Sequence, residues 1–338
     1  MAVKALPMRR LGRTDMEITP VGFGAWAIGG HDWAVGWGQQ DDRQSVAAIR
    51  RAVEHGINWI DTAPIYGLGH SEIIVREALS EIPLGQRPYV FTKCGLAWDE
   101  TDRKAFPRMQ GAPDSLRREL DDSLRRLGVE QIDLYQMHWP AKDGTPLEDY
   151  WGVLLDMKKE GKVRAVGLSN HYVDQLEAAQ RIGHVDTLQP PFSAIRREIA
   201  ANELPWCITH GTGLIVYSPM QAGLLSGAFT EARAKALPPD DWRSRDAEFE
   251  GEKLKKNLKL VDAMKTIADR RATSVPAVAV AWTLAWPGVT GAIVGARNPH
   301  QVDGWLDACT LSLDRNDMEE IAAAIAETGA GGGPALPQ

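Results

Sequence analysis

The chain has 338 residues, 44% of them hydrophobic and 25% charged, an ordinary globular balance that suits two domains or one large α/β barrel. A net charge of -7 and a pI of about 5.7 argue against a nucleic-acid groove or an anionic membrane surface, while leaving room for one local basic pocket for a phosphate. Three scattered cysteines (Cys94, Cys207, Cys309) form neither a disulfide framework nor a zinc pattern, so a reducing, cytoplasmic setting is expected.

In chain order, Met1 to Thr19 is charged and has no apolar core of a signal peptide, and Met8 to Thr19 reads as two short strands about the turn Gly12-Arg13-Thr14-Asp15. Val21-Gly22-Phe23-Gly24 is the first buried strand, and Asp42 to His55 a helix stopped by Gly56. Ile57 to Asp61 is a strand, Ser71-Glu72 opens a helix, and Tyr89 to Lys93 is the next strand. Ser115 to Leu127 is strongly amphipathic, with Leu116, Leu120, Leu124 and Leu127 on one face and Gly128 just beyond. Ile132 to His138 is a strand stopped by Pro140, Leu147 to Glu160 a helix, Val163 to Gly167 a strand and Val173 to Arg181 a helix. Val185 to Gln189 is a short strand, Glu198 to His210 a helix broken at Pro205, and Leu214 to Tyr217 a strand.

Phe229 to Gly251 is polar and holds Pro238 and Pro239, so a surface loop or lid is expected there. Helices over Leu254 to Arg271 and Val275 to Ala285, the strand Ala292 to Val294, a short helix from Pro299 and a last helix over Asp314 to Ala326 complete the pattern. No apolar run approaches the roughly 20 residues of a membrane span. Eight strands, each followed by a helix, predict a single (β/α)₈ barrel over residues 1–329, with an N-terminal hairpin and an extra C-terminal helix. The Gly/Pro/Ala segment 330–338 is expected to be a flexible tail.

Barrel enzymes keep their chemistry at the C-terminal ends of the strands. In this chain those positions hold Gly24-Ala25-Trp26, Asp61 with Tyr66, Lys93, His138, Ser169-Asn170, Gln189, Tyr217-Ser218 and Gly295-Ala296-Arg297. Each has a bland reading: Lys93 in a rim ion pair, Asn170 as a helix cap, Tyr66 as a loop anchor. Together they fit a site better than a core. The histidines show neither His-x-His nor His-Glu-x-x-His, so no metal is expected. Gly22-x-Gly24-x-x-Ala27 formally matches a dinucleotide fingerprint, but a loop rather than a helix follows it, and the Rossmann reading is set aside.

The pieces Asn58-Trp59-Ile60-Asp61-Thr62-Ala63-Pro64-Ile65-Tyr66-Gly67, Thr92-Lys93, Met137-His138-Trp139-Pro140, Gly167-Leu168-Ser169-Asn170, Tyr217-Ser218-Pro219 and Ile293 to Gln301 span nearly the whole chain. In this order the chain resembles the aldo-keto reductase family. The resemblance implies NADPH-dependent reduction of an aldehyde or ketone, with Tyr66 as acid/base and Asp61, Lys93 and His138 in support. The chemistry of the residues agrees. A free tyrosine, with a pKa near ~10, exchanges protons poorly at neutral pH. A neighbouring Lys93 ammonium, held by Asp61, is expected to lower that value, and His138 to donate to the carbonyl oxygen.

By the same resemblance Ser169, Asn170 and Gln189 hold the nicotinamide carboxamide, with Tyr217 stacked on the ring and Gly24, Ala25 and Trp26 near its ribose. Ser218, Met220, Gly223 and Leu224 belong to a backbone belt over the pyrophosphate. Gly295, Arg297 and Gln301 sit where the family binds the 2′-phosphate, which favours NADPH. Beyond Gln301 the family's Glu-Asn is replaced by Gly304 and Trp305, so NADH is admitted as well. Trp33, Trp37, Trp98 and Trp139 are expected to ring the mouth of a pocket for a small-molecule carbonyl substrate, with Trp33, Trp98 and Trp139 as substrate contacts. The rival functions are a Schiff-base lyase using Lys93 and a weakly catalytic NADPH-binding regulatory subunit of the same fold.

Overall fold

The computed structural model describes residues 5–337. Strands β1 (Arg9–Arg10) and β2 (Glu17–Ile18) pair antiparallel as a hairpin. Strand and helix then alternate: β3 (Val21–Gly24), α1 (Asp42–Glu54), β4 (Trp59–Asp61), α2 (His70–Ser80) and β5 (Tyr89–Cys94). A second small hairpin, β6 (Leu96–Ala97) with β7 (Arg108–Met109), precedes α3 (Pro113–Leu127). Next come β8 (Ile132–Met137), α4 (Leu147–Lys159), β9 (Val163–Ser169), α5 (Val173–Ile182), β10 (Thr187–Gln189) and α6 (Glu203–His210). Strand β11 (Gly213–Tyr217) is followed by α7 (Glu231–Lys235), α8 (Gly251–Arg270) and α9 (Val275–Leu284). The last elements are β12 (Val289–Gly295), α10 (Pro299–Asp303) and α11 (Arg315–Thr328). Strands β3, β4, β5, β8, β9, β10, β11 and β12 close into one parallel barrel, β12 returning to β3 with Ala292 beside Val21.

The two-residue period of a strand explains how this barrel positions its site. Inward-facing Trp59, Phe91, Leu134, Ala165, Ile215 and Ile293 form an apolar floor. Two residues further along their strands stand Asp61, Lys93, Gln136, Gly167, Tyr217 and Gly295. Intervening residues such as Ile60, Val90, Tyr135 and Val216 face outward into the helix layer. The first hairpin plugs the floor from below: Leu11, Met16 and Ile18 have no solvent exposure and pack into the same cluster. Trp59 fills the centre and donates its indole N–H to Thr19 O at 2.8 Å.

The sequence expectations need correction in four places. The helix expected over Glu198–His210 is a 3₁₀ turn (Glu198–Ala200) and then α6, and the break precedes Pro205. Pro205 is the third residue of α6, where a backbone N–H has no intrahelical partner, so its ring costs nothing there. Phe229–Gly251 is not an open loop; it carries α7 and 3₁₀ turns at Trp242–Arg245 and Ala247–Phe249, anchored by buried Phe229 against Phe249. The β6–β7 hairpin was not foreseen, because two-residue strands show no periodicity. Residues 330–333, expected in a flexible tail, are docked: buried Arg197 donates to Ala330 O and Gly333 O, both at 3.2 Å, and its N–H to Gly332 O.

Room for Trp59 comes from Gly22, where a methyl group would stand 2.2 Å from the indole. Gly22→Ala is therefore expected to destabilise the fold by about 3 kcal/mol through overpacking. The check is a urea titration, in which the midpoint falls with the slope unchanged.

Candidate active site

Above the apolar floor the barrel mouth holds a buried ion pair. Lys93 Nζ lies 2.6 Å from Asp61 Oδ1, and the two side chains are 0% and 3% exposed. The ammonium also donates to Thr62 O at 2.9 Å and reaches the Tyr66 hydroxyl at 3.5 Å. Asp61 is held on its other oxygen by Gln189 Nε2 at 2.8 Å, from the far side of the barrel. Burial pulls the Asp61 carboxyl up and the Lys93 amine down, and each charge opposes the other's shift. An ammonium sealed in this way and committed to Asp61 and Thr62 O is poorly placed for a Schiff base.

Tyr66 follows β4 on a loop whose turn brings Gly67 against Gly29 O; the positive φ of Gly67 excludes a side chain there. Its ring stands edge-on to His138, centroids 5.8 Å apart, and lies beside Trp26 at 6.2 Å and Trp33 at 6.4 Å. The expected lowering of the Tyr66 pKa is not found. Burial pushes the phenol well above 10, with the Asp61 charge and Tyr217 adding to the rise. The physical reason is burial first, which disfavours the phenolate, and then the Asp61 carboxylate, which offsets the pull of the Lys93 ammonium beside it. His138 is moved the other way, well below 6.5, by burial and then by the Lys93 charge, so its ring is neutral and has one N–H.

The remaining rim residues form one hydrogen-bonded arc. Ser169 Oγ donates to Gln189 O, and Asn170 Nδ2 to Ser169 Oγ and to His138 O. Tyr217 donates its hydroxyl to Asn170 Oδ1 at 2.8 Å, which fixes the ring across the mouth. Asn170 and Ser218 both have φ near +60°, a strain kept where the surrounding bonds over-determine the backbone.

A cavity of about 700 Å³ runs from Tyr66 and His138 past Tyr217 to Arg297 and Gln301. Gly24, Ala25, Trp26, Asp61, Asn170, Gln189, Ser218, Met220, Gly223 and Gly295 line it, as do Trp33 and Trp139. Ser169, Leu224 and Lys93 stand behind the wall, and Trp98 is not in it; its indole N–H goes to Glu100. Sequence reasoning missed Arg243 in the wall and several residues that support the wall from behind. Arg243 is paired with Asp241 at 2.6 Å and lies 4.8 Å over the Trp37 ring. Trp242 stacks on Trp26 at 5.3 Å. Gln40 accepts from Arg297 Nε at 2.6 Å. Arg297 also donates to Gln39 O. The Asp-Trp-Arg run at 241–243 was visible, but nothing local shows which loop it meets.

The length of this cleft, an aromatic ring across one wall and guanidinium groups at one end suit an extended nicotinamide dinucleotide. A sequence profile of the aldo/keto reductase family matches residues 20–326. This chain belongs to the aldo/keto reductase family. The reductase is 34% identical over 329 residues to the NADH-specific methylglyoxal reductase of Escherichia coli strain K12, covering 93% of this chain and 98% of that protein. It is 33% identical to the aldo-keto reductase YhdN of Bacillus subtilis strain 168, over 93% and 92% of the two chains. The solved glycerol dehydrogenase of Gluconobacter oxydans superposes with a TM-score of 0.86 at 36% identity, with both chains fully covered. The reductase is thus an NAD(P)H-dependent oxidoreductase that converts carbonyls to alcohols.

The direction of the tyrosine shift sets the pH dependence. Tyr66 above its ordinary pKa stays protonated through neutral pH and into the alkaline range. With Tyr66 as the proton donor proposed below, the kcat for carbonyl reduction is expected to hold level from about pH 7 to 9; a decline centred near pH 8 in a stopped-flow profile would contradict that role.

Proposed function

We propose that Tyr66 is the proton donor of this reductase, that Lys93, Asp61 and His138 support it, and that NADPH is the preferred cofactor. The observation that carries the reading is the chain of contacts from Gln189 through Asp61 and Lys93 to the Tyr66 hydroxyl, with the neutral His138 ring beside it. A carbonyl oxygen seated between the phenol and the imidazole accepts a hydrogen bond from each, which orients and polarises the carbon. The reduced nicotinamide supplies the hydride when bound. As charge builds on the oxygen, Tyr66 hands over its proton. The phenolate left behind faces the Lys93 ammonium, the nearer half of the ion pair. Asp61 keeps that ammonium charged and in place.

Ser169, Asn170 and Gln189 suit the carboxamide end of the cofactor, and Tyr217 the ring face. The opposite end of the cavity is lined by Arg233, Arg243 and Arg297. Arg243 is already neutralised by Asp241, which leaves Arg233 and Arg297; Arg297, whose backbone N–H donates to Gln301 at the end of the cavity, is the guanidinium proposed for a 2′-phosphate dianion. The methylglyoxal reductase relative is NADH-specific by name, which makes cofactor choice the point to measure.

Tyr66→Phe is expected to lower kcat at least ~10³-fold, in line with loss of a general acid, while NADPH still quenches tryptophan fluorescence with near-normal Kd. Full activity in that variant would remove the phenol from the reaction. Arg297→Ala is expected to weaken NADPH by roughly 10- to 100-fold, as for loss of a charge-assisted contact, and NADH by far less. Equal losses would put the 2′-phosphate elsewhere.

A further inference from the structure

The mechanism above leaves one acidic side chain close to the site without a task. Glu119 is on α3, in the helix layer around the barrel, and does not line the cavity. Its neighbours Leu116 and Leu120 supply the apolar packing of that helix. The nearby Arg126 guanidinium is already paired with Glu72 at 2.6 Å. Half-buried Glu119 instead spends its carboxylate on a backbone group. Its Oε2 accepts from the Gly95 N–H at 2.7 Å, while Oε1 accepts from the Ser115 hydroxyl at 3.3 Å.

The far end of the same peptide unit reaches the site. A trans peptide points its N–H and its C=O in opposite directions. The unit joining Cys94 to Gly95 gives its N–H to Glu119, and its carbonyl accepts from the His138 N–H at 3.0 Å. That bond closes the β5–β8 ladder, whose last pair is Cys94 with Met137. Beyond it the chain turns at Gly95, with a φ of +85°, into the β6–β7 hairpin. The backbone of His138 is held on its other side by Asn170 Nδ2, which donates to His138 O at 3.0 Å. Lys93 immediately precedes Cys94, but it is already held by Asp61 and Thr62 O, so His138 is the group that depends on this peptide.

We propose that Glu119 is a positioning residue for His138, acting from outside the barrel through the Cys94–Gly95 peptide. The inference rests on the catalytic reading of His138 above. The carboxylate does two things. It fixes the peptide plane with a charge-assisted bond, roughly twice as strong as a neutral one. It also polarises the peptide, so that Cys94 O becomes a stronger acceptor for the His138 N–H. The imidazole must meet the carbonyl oxygen at hydrogen-bond distance as charge develops there, and a small displacement of its backbone weakens that contact steeply.

The test uses the whole protein with NADPH and 4-nitrobenzaldehyde at about pH 8, where an ordinary carboxylate is charged. Glu119→Ala is expected to lower kcat about 10-fold, as for a lost positioning contact, with the Kd of NADPH unchanged within about 2-fold. Glu119→Gln keeps an acceptor oxygen without the charge and is expected to return kcat to within about 3-fold of the parent. Amide hydrogen exchange, read by NMR, should quicken at least ~10-fold at Gly95 and His138 in Glu119→Ala and stay unchanged at Ala292 across the barrel. In a His138→Ala background, Glu119→Ala should cost less than about 2-fold more, because the group it positions is gone. A merely structural role would quicken exchange at all three amides and lower kcat by the same factor in both backgrounds. That result overturns the proposal, as does a Glu119→Ala variant with kcat and His138 exchange both unchanged. If exchange at His138 quickens while His138→Ala itself keeps full activity, the positioning stands and the catalytic reading of His138 falls instead.

Discussion

A lysine with no solvent exposure is the constraint on which this barrel mouth depends. Desolvating an ammonium costs several kcal/mol unless its partners are in place. Lys93 meets that demand with Asp61 and Thr62 O. Both charged residues come from adjacent parallel strands, Asp61 pairing with Phe91 in the β4–β5 ladder and Lys93 lying two residues on. Inward alternation aims both at the axis. Gln189 then ties the pair to β10 across the barrel, so strands far apart in the chain share one hydrogen-bonded centre. Replacing one member would leave a buried uncompensated charge, which is why the group acts as a unit.

The same burial that makes the pair costly also sets the protonation states around it. Tyr66 is held protonated and His138 neutral, so each ring carries one hydrogen that it can donate. The proposed mechanism uses that combination: two donors at the oxygen, one of which gives up its proton. The phenol is not activated in advance by a lowered pKa. In the proposed mechanism the ammonium matters after the proton leaves, when it faces the phenolate.

Two segments distant in sequence close the cavity from above. The loop after β3 contributes Trp26, Trp33 and Trp37, and the segment around Trp242 and Arg243 stacks on it. Trp242 N–H reaches Gly36 O, and Arg245 reaches Ala34 O. The roof is thus an aromatic seam, with the Arg243–Asp241 ion pair packed against it.

Much of this was legible in the sequence, for a simple reason. Strand and helix periods are local, and a period of two places Asp61 and Lys93 on the inward face from Trp59 and Phe91 alone. The order of strands and the polar residues at their ends therefore followed from the chain itself, as did the break signals at Gly56, Gly128 and Pro140. What the tertiary structure decided was every feature made by residues with no local signature. The docking of Ala330 to Gly333 on Arg197 depends on backbone carbonyls that composition cannot show. The pairing of Gln40 with Arg297 joins positions 257 residues apart. Trp98 was expected in the pocket and turned instead to Glu100, because a two-residue hairpin, too short to show a period, set its direction. Even the sign of the Tyr66 shift belonged to the fold, since sequence names the neighbouring charges but only burial and distance decide which of them prevails.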